Sequence, residues 1–253
     1  MPSRDEITGF LDVYLDARAI DDYAYNGLQI EGCEEVGKIG FAVDFCMESA
    51  LKAVESGCQM LICHHGMIWR NQLPITGSVK KRVKAMLDND VSLYAAHLPL
   101  DIHPEAGNNA GIAAMIPNFT AEGGFGVIKG RPVGIAGRLS VPEKLSSLQR
   151  TIDEMLMTRS VLIAPDKEKT VRTIGIISGS AASSLKEAED MGIDLFITGE
   201  TSHACYHEAM EGGTAMLCAG HYATETTGLR LLRTILSDKY EIETEFFDIP
   251  TGI

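Results

Sequence analysis

Two stretches of this chain carry the same strand–helix pattern 135 residues apart, and that repetition limits the fold more than any other feature. Ile39-Gly40-Phe41 matches Ile174-Gly175-Ile176, and Gly57-x-x-x-Leu61-Ile62 matches Gly192-x-x-x-Phe196-Ile197, at one constant offset (39 to 174, 57 to 192). In that register His64-His65-Gly66 lines up with Gly199-Glu200-Thr201. The next apolar run of each stretch, Val91–Ala96 and Thr214–Ala219, leads into a histidine followed four residues later by a carboxylate: His97-Leu-Pro-Leu-Asp101 and His221-Tyr-Ala-Thr-Glu225. A repeat of strands and helices implies a largely parallel sheet with helices on its faces. The expected fold class is α/β, with two related halves and a site shared between them. Polar groups at strand ends fit that expectation, because ligands of open α/β sheets lie beyond the carboxyl ends of the strands.

Local signals place the elements. Ser3 and Glu6 make a capping box, and Ile7, Phe10, Leu11, Tyr14 and Leu15 follow at helical spacing, predicting a helix to Ala17. Asn26-Gly27 predicts a turn. Strands are expected over Lys38–Asp44, Gln59–Cys63 and Thr173–Ile177, and helices over Met47–Ser56, Ser78–Asn89, Ala181–Met191 and from Thr224 to Leu236. Residues 118–141 are glycine-dense. Gly123, Gly124 and Gly126 precede a strand rather than open a helix after one, which is the wrong order for a dinucleotide loop. A hairpin at the domain junction accounts for them better. The expected domains are 1–125, carrying His64, His65 and Asp101, and 126–253, carrying His221 and Glu225.

Composition disfavours several function classes. A net charge of −13 opposes binding to a phosphate backbone, which depends on Lys and Arg. The densest basic stretch, Lys80-Lys81-Arg82-Val83-Lys84, reads as the solvated face of a helix. The first residues have no apolar h-region and no stretch is long and apolar enough for a membrane span, so neither secretion nor a membrane is expected. Six scattered cysteines without Cys-x-x-Cys suit a reducing cytoplasm.

The candidate chemistry is metal binding, because histidine and carboxylate together are the usual ligands of zinc, iron or manganese. Neighbouring side chains on extended backbone diverge, so His64 and His65 would each serve a different ion. A hydrogen-bonded structural pair is the alternative. Pro99 argues for a loop leaving the strand, with Asp101 turned back to the site or serving only as a turn residue. His103 belongs to an exposed loop, and an asparagine of Gly107-Asn108-Asn109 caps the next helix, whose N-terminus could hold a phosphate. His203-x-x-x-His207 is a rival zinc motif, although it lacks the Glu of His-Glu-x-x-His. Glu225 falls near the first turn of its helix, a position suited to a carboxylate that bridges two ions.

Taken in order, Asn26-Gly27-Leu28-Gln29, Cys63-His64-His65-Gly66, His97-x-x-x-Asp101 with Gly107-Asn108-Asn109, Thr198-Gly199-Glu200-x-x-His203 and Gly220-His221-x-x-x-Glu225 resemble the Nif-three-like family, whose members are often labelled GTP cyclohydrolase I type 2 homologues. The resemblance covers nearly the whole chain. It implies a two-lobed α/β fold, a dinuclear metal site and a toroidal homohexamer. Motif by motif, the family's ligands fall on His64, His65, Asp101, His221 and Glu225. His97 is then a neighbour in the site and the candidate acid–base group, while Asn26, Asn108, Glu200 and His203 are expected to support the ligands or touch substrate. The chain departs from the family in having Ala24-Tyr25 where Trp-Asp is common, and Ala204 where a second histidine is common.

The function this implies is a metal-dependent hydrolase with two divalent ions (zinc, iron or manganese), acting on a nucleotide or phosphoester-type small molecule. The alternative is a non-enzymatic metal-binding hexamer or metal-handling protein.

Overall fold

The computed structural model describes residues 1–71 and 74–253. In chain order its elements are α1 (Arg4–Tyr14), β1 (Gly27–Ile30), β2 (Lys38–Asp44), α2 (Met47–Glu55), β3 (Met60–His65), α3 (Gly77–Leu87), β4 (Ser92–Ala95), α4 (Leu98–Ile102) and α5 (Asn108–Met115). They continue with β5 (Phe119–Ile128), β6 (Arg131–Lys144), α6 (Leu145–Leu156), β7 (Val161–Ile163), β8 (Thr170–Ile177), α7 (Leu185–Asp190) and β9 (Leu195–Thr198). Last come α8 (His203–Glu211), β10 (Ala215–Cys218), α9 (His221–Thr224), α10 (Thr226–Tyr240) and β11 (Glu243–Phe246). The architecture is mixed α/β with two sheets.

The chain divides into two units, Met1–Leu100 with Leu229–Ile249 and Asp101–Gly228 with Pro250–Ile253. The division does not fall at 125/126. The glycine-rich stretch there is instead an antiparallel hairpin, β5 on β6, inside the second unit, so Asp101 belongs to the second unit rather than the first.

The first unit's sheet has the order β1-β4-β3-β2-β11. β11, β2, β3 and β4 run parallel, and β1 is antiparallel to β4. Parallel strands are covered on both faces and so read as continuous apolar runs. Met60-Leu61-Ile62-Cys63 is buried throughout, as that rule requires. Leu61 and Cys63 join Ala50, Ala53, Val83, Met86, Leu93 and Phe247 in one core. Each fully buried Leu, Met or Phe side chain among them contributes about 1.5–3 kcal/mol. The predicted capping box opens α1: Ser3 Oγ accepts from the Glu6 N–H (3.1 Å) and Glu6 Oε2 accepts from the Ser3 N–H (2.7 Å). The helix ends at Tyr14, short of Ala17, because Asp16 turns left-handed at φ 53°. On α3, Lys80, Lys81 and Lys84 are exposed, as expected of a solvated face.

The second unit's sheet has the order β5-β6-β8-β9-β10-β7, with β8, β9 and β10 parallel. Its core gathers Ile112, Leu148, Ile152, Ile174, Ile176, Leu195, Ile197 and Leu217.

The repeat read from sequence extends to strand register. In the first unit Ile39 pairs with Met60 and Phe41 with Ile62. Their equivalents Ile174 with Leu195 and Ile176 with Ile197 pair in the second. The third strand begins opposite the equivalent residue in each unit, Met60 opposite Ser92 and Leu195 opposite Ala215, at its own offset of 123 (92 to 215). Four local expectations change. Pro99 lies inside α4, because a proline in a helix's first turn forfeits no intrahelical hydrogen bond. Helix 181–191 is instead a short 3-10 turn, Ala182–Ser184, followed by α7. The expected helix from Thr224 is split, with Glu225 between α9 and α10. Gly107, not an asparagine, caps α5.

Candidate metal centre

In the first unit three imidazoles meet at the carboxyl ends of β3 and β4. The ring centroids of His64 and His65 lie 4.7 Å apart, those of His64 and His97 5.1 Å, and those of His65 and His97 5.6 Å. One ring nitrogen of each falls within 4.8 Å of the others, the spacing of a metal-binding group. His64 and His65 therefore do not diverge as extended neighbours would. Both lie within β3, beyond its last pairing with β4 at Cys63 but with His65 still paired to Asp44 of β2. Every Nδ1 has an oxygen partner: Ala96 O for His64, Asp44 Oδ1 for His65 and Asp22 Oδ1 for His97, each at 2.9 Å. Such anchoring fixes tautomer and ring plane and leaves each Nε2 as the atom available to a metal or a proton, the arrangement common around metal-binding histidines.

His97 is the most constrained of the three. Asn26 Oδ1 accepts from its backbone N–H (2.7 Å), and Asp22 Oδ2 accepts from Asn26 Nδ2 and from the Leu98 N–H, both at 2.9 Å. Burial alone would raise the Asp22 carboxyl. The hydrogen bonds and charge interaction with His97, together with those from Asn26 and the Ala24 N–H, prevail and hold it well below the usual carboxylate range. The indole of Trp69 lies 5.1 Å from the His97 ring and 5.9 Å from that of His65. An isolated bridge pairs Trp69 with Ala24, where the family often places its tryptophan.

In the second unit the donors are mainly carboxylates. Asp101 is buried, and its Oδ1 accepts from Asn108 Nδ2 and Ser178 Oγ, both at 2.9 Å. Asn108 Oδ1 in turn accepts from the Gly228 N–H at 2.8 Å, and Asn109 Oδ1 from the Ser178 N–H at 2.7 Å. These buried amides replace the capping role expected of them. His221 Nδ1 bonds Glu200, and its Nε2 lies 3.1 Å from Glu225 Oε2. The Glu225 hydrogen bond, opposed by burial and joined by Glu200, raises the His221 pKa to about 9 in the absence of metal. Gly179 leaves room for this arrangement: at φ +66° an added Cβ would collide with the Glu225 carboxylate.

Other candidates lie elsewhere. His203 is exposed at the start of α8, and His207 is exposed on the same helix with its ring 5.2 Å from Tyr206. Among the described residues they join no group of three donors. His103 is half-buried rather than exposed, and its Nδ1 accepts from the Ala106 N–H at 2.9 Å. The six cysteines are free thiols. Asp22, Asp44 and Trp69 are the residues that sequence reasoning missed. Asp44 had a signal, since it closes the strand beside the one bearing His65; Asp22 and Trp69 lie in irregular segments without periodicity.

Two sheets that repeat one strand register, each with imidazoles or carboxylates at its carboxyl end, define a class: mixed α/β proteins with His/Asp/Glu clusters able to bind metal. This chain belongs to the Duf34/NIF3 (NGG1p interacting factor 3) family, whose sequence profile matches residues 2–252. It is 41% identical over 248 residues to the GTP cyclohydrolase 1 type 2 homolog of Archaeoglobus fulgidus, covering 98% of both chains. With the protein of that name from Pyrococcus abyssi it shares 39% over 250 residues, 99% of each chain. Among solved structures it is similar to the structural-genomics protein ybgI, of unknown function (TM-score 0.92, 36% identity, covering 99% of this chain and 100% of that one). TTHA1606 from Thermus thermophilus follows at TM-score 0.88 and 34% identity, with the same coverage. No described helix is long and apolar enough to cross a membrane.

Proposed function

We propose that the protein is a metal-dependent hydrolase in which His64, His65, Asp101, His221 and Glu225 hold two divalent ions, with Glu225 as the bridge. The observation that carries the metal assignment is the imidazole group of the first unit, three ring nitrogens within 4.8 Å, each ring anchored from behind by an oxygen. This donor chemistry suits zinc, iron or manganese, with availability deciding among them. Bound ions of this kind lower the pKa of water and polarise a phosphoryl or carbonyl centre. Five protein ligands cannot saturate two ions, which leaves coordination open for substrate and favours catalysis over storage.

The chain's own contribution is acid–base. Asp22 holds the Nδ1 side of His97, so the proton that His97 moves is at Nε2. The relatives' name, GTP cyclohydrolase 1 type 2 homolog, supports a nucleotide as the substrate class. Metal analysis should return two ions per chain, and a screen of metal-defined protein against nucleotides and phosphoesters should return turnover. Two ions with no turnover on any of them would favour the metal-handling alternative, and absence of bound metal would reject both. We also propose a homohexamer, on family membership alone. Light scattering should give six times the 27.4 kDa chain mass, and a monomer mass would reject it.

A further inference from the structure

The second unit contains a pocket of about 540 Å³ that the metal centre does not account for. Its volume is that of a small-molecule site, roughly 300–1,000 Å³. Its position follows from the sheet. Thr201 and Ser202, which line it, come three and four residues after the carboxyl end of β9, and Val161, also in its wall, is paired with Cys218 at the carboxyl end of β10. The pocket therefore opens on the strand edge where α/β sheets bind ligands. Thr201 directly follows Glu200, the carboxylate that bonds His221.

Its lining has a distinct chemistry. The chain carries 35 Asp and Glu residues, yet none of the described residues lining the pocket is acidic. Lys167 supplies a cation, and Ser202 and His203 stand at the first turn of α8, the positive end of a helix. Leu162 and the half-exposed ring of Tyr206 supply an apolar and aromatic wall. A wall of this kind takes a flat apolar body, and a lysine takes a phosphate as a point charge.

We propose that this pocket binds a nucleoside monophosphate or the equivalent part of a larger nucleotide, with the base against Tyr206 and Leu162 and the phosphate at Lys167. It is the subsite that holds the body of the substrate beside His221. The substrate assignment rests on the hydrolase reading; the pocket's binding chemistry does not.

Calorimetric titration of AMP and adenosine into the metal-stripped full chain tests the two separately. AMP binds the wild-type protein. Lys167→Ala weakens AMP about tenfold, the loss of one charge-assisted contact, and leaves adenosine unchanged. Tyr206→Ala weakens both. Both side chains are exposed, so the variants fold, and their metal content stays that of the wild type. Equal AMP affinity across the three proteins overturns the proposal, as does failure of the stripped protein to bind AMP; neither result touches the metal assignment. Loss of assembly by Tyr206→Ala in light scattering also overturns it, since the groove would then be an interface between copies. AMP binding that survives in a protein with no turnover after metal is restored supports the pocket and retires the hydrolase reading.

Discussion

The same strand register carries opposite chemistry in the two repeats. At the end of the second strand of each triplet, His65 has Glu200 as its equivalent at the 135-residue offset. After the third strand, whose own register offset is 123 (95 to 218), the second copy carries one extra residue, so that His97 and Asp101 correspond to His221 and Glu225 at an offset of 124 (97 to 221, 101 to 225). One copy is rich in imidazole and the other in carboxylate. The supports differ accordingly. His97 leans on Asp22 from an irregular segment near the chain's start, whereas His221 leans on Glu200, the counterpart of His65. The first strand of each triplet shows the exchange most directly. Asp44 orients His65, and its equivalent is Gly179, whose missing side chain makes room for Glu225. The backbone repeat and its register are retained, while single substitutions at strand ends decide whether a position donates, supports or stands aside.

The largest expected effects separate the paired histidine–carboxylate motifs. Glu225→Ala should lose metal and turnover together. His97→Ala should keep both ions and lose about 10²–10⁴ in rate, the range of a general acid–base group. Metal analysis alongside kcat checks both, and loss of an ion from His97→Ala would make His97 a third imidazole ligand. Next in size, Asp22→Ala strips partners from His97, Asn26 and the Leu98 N–H, so it should cost about 1–3 kcal/mol in denaturant unfolding for each buried donor left unpaired. A cost below about 1 kcal/mol would remove Asp22 from its supporting role.

Gly179→Ala should cost about 1–3 kcal/mol through its left-handed backbone and weaken metal retention by displacing Glu225. Asp44→Ala should leave the fold intact and weaken metal only by loosening His65. Equal metal affinity in the two variants would end the contrast drawn between these positions.

The smallest effect is in pH. The metal-free His221 pKa is raised from 6.5 to about 9, so the stability of its bonds to Glu225 and Glu200 is full below 6.5 and is lost as pH rises through about 9. A metal ligand must be neutral imidazole, so metal affinity should climb across that window. Thermal melts with and without chelator should therefore diverge between pH 6.5 and 9, and parallel curves would refute the linkage.

The strands and the repeat were legible because apolar runs, and their recurrence, are local facts. The family resemblance supplied the ligand set, whereas periodicity could only mark strand ends. Three things were not legible. Pro99 read as a helix breaker, because sequence alone did not reveal that its helix would begin at Leu98. The clustering of His64 with His65 came from ring orientations that simple alternation along β3 does not announce. Asp22 and Trp69 reach the imidazoles through tertiary contacts across more than one loop, and no spacing rule announces such contacts. The domain division was misplaced because glycine density marks a tight hairpin as readily as a linker.

The path of the chain through the first sheet has a consequence for the order of folding. β2 is flanked on one side by β11, whose residues Glu243–Phe246 are synthesised after the whole of Asp101–Gly228. Until they emerge from the ribosome, one backbone edge of Lys38–Asp44 stays open beside the apolar side chains of Ile39, Phe41 and Val43. The bulk of the second unit, a single run of chain, can form first, while the earlier-made unit waits for the last strand. An open apolar edge of that kind is a site for pairing with other chains. The nascent protein is therefore most exposed to aggregation late in synthesis, through the half that was made first.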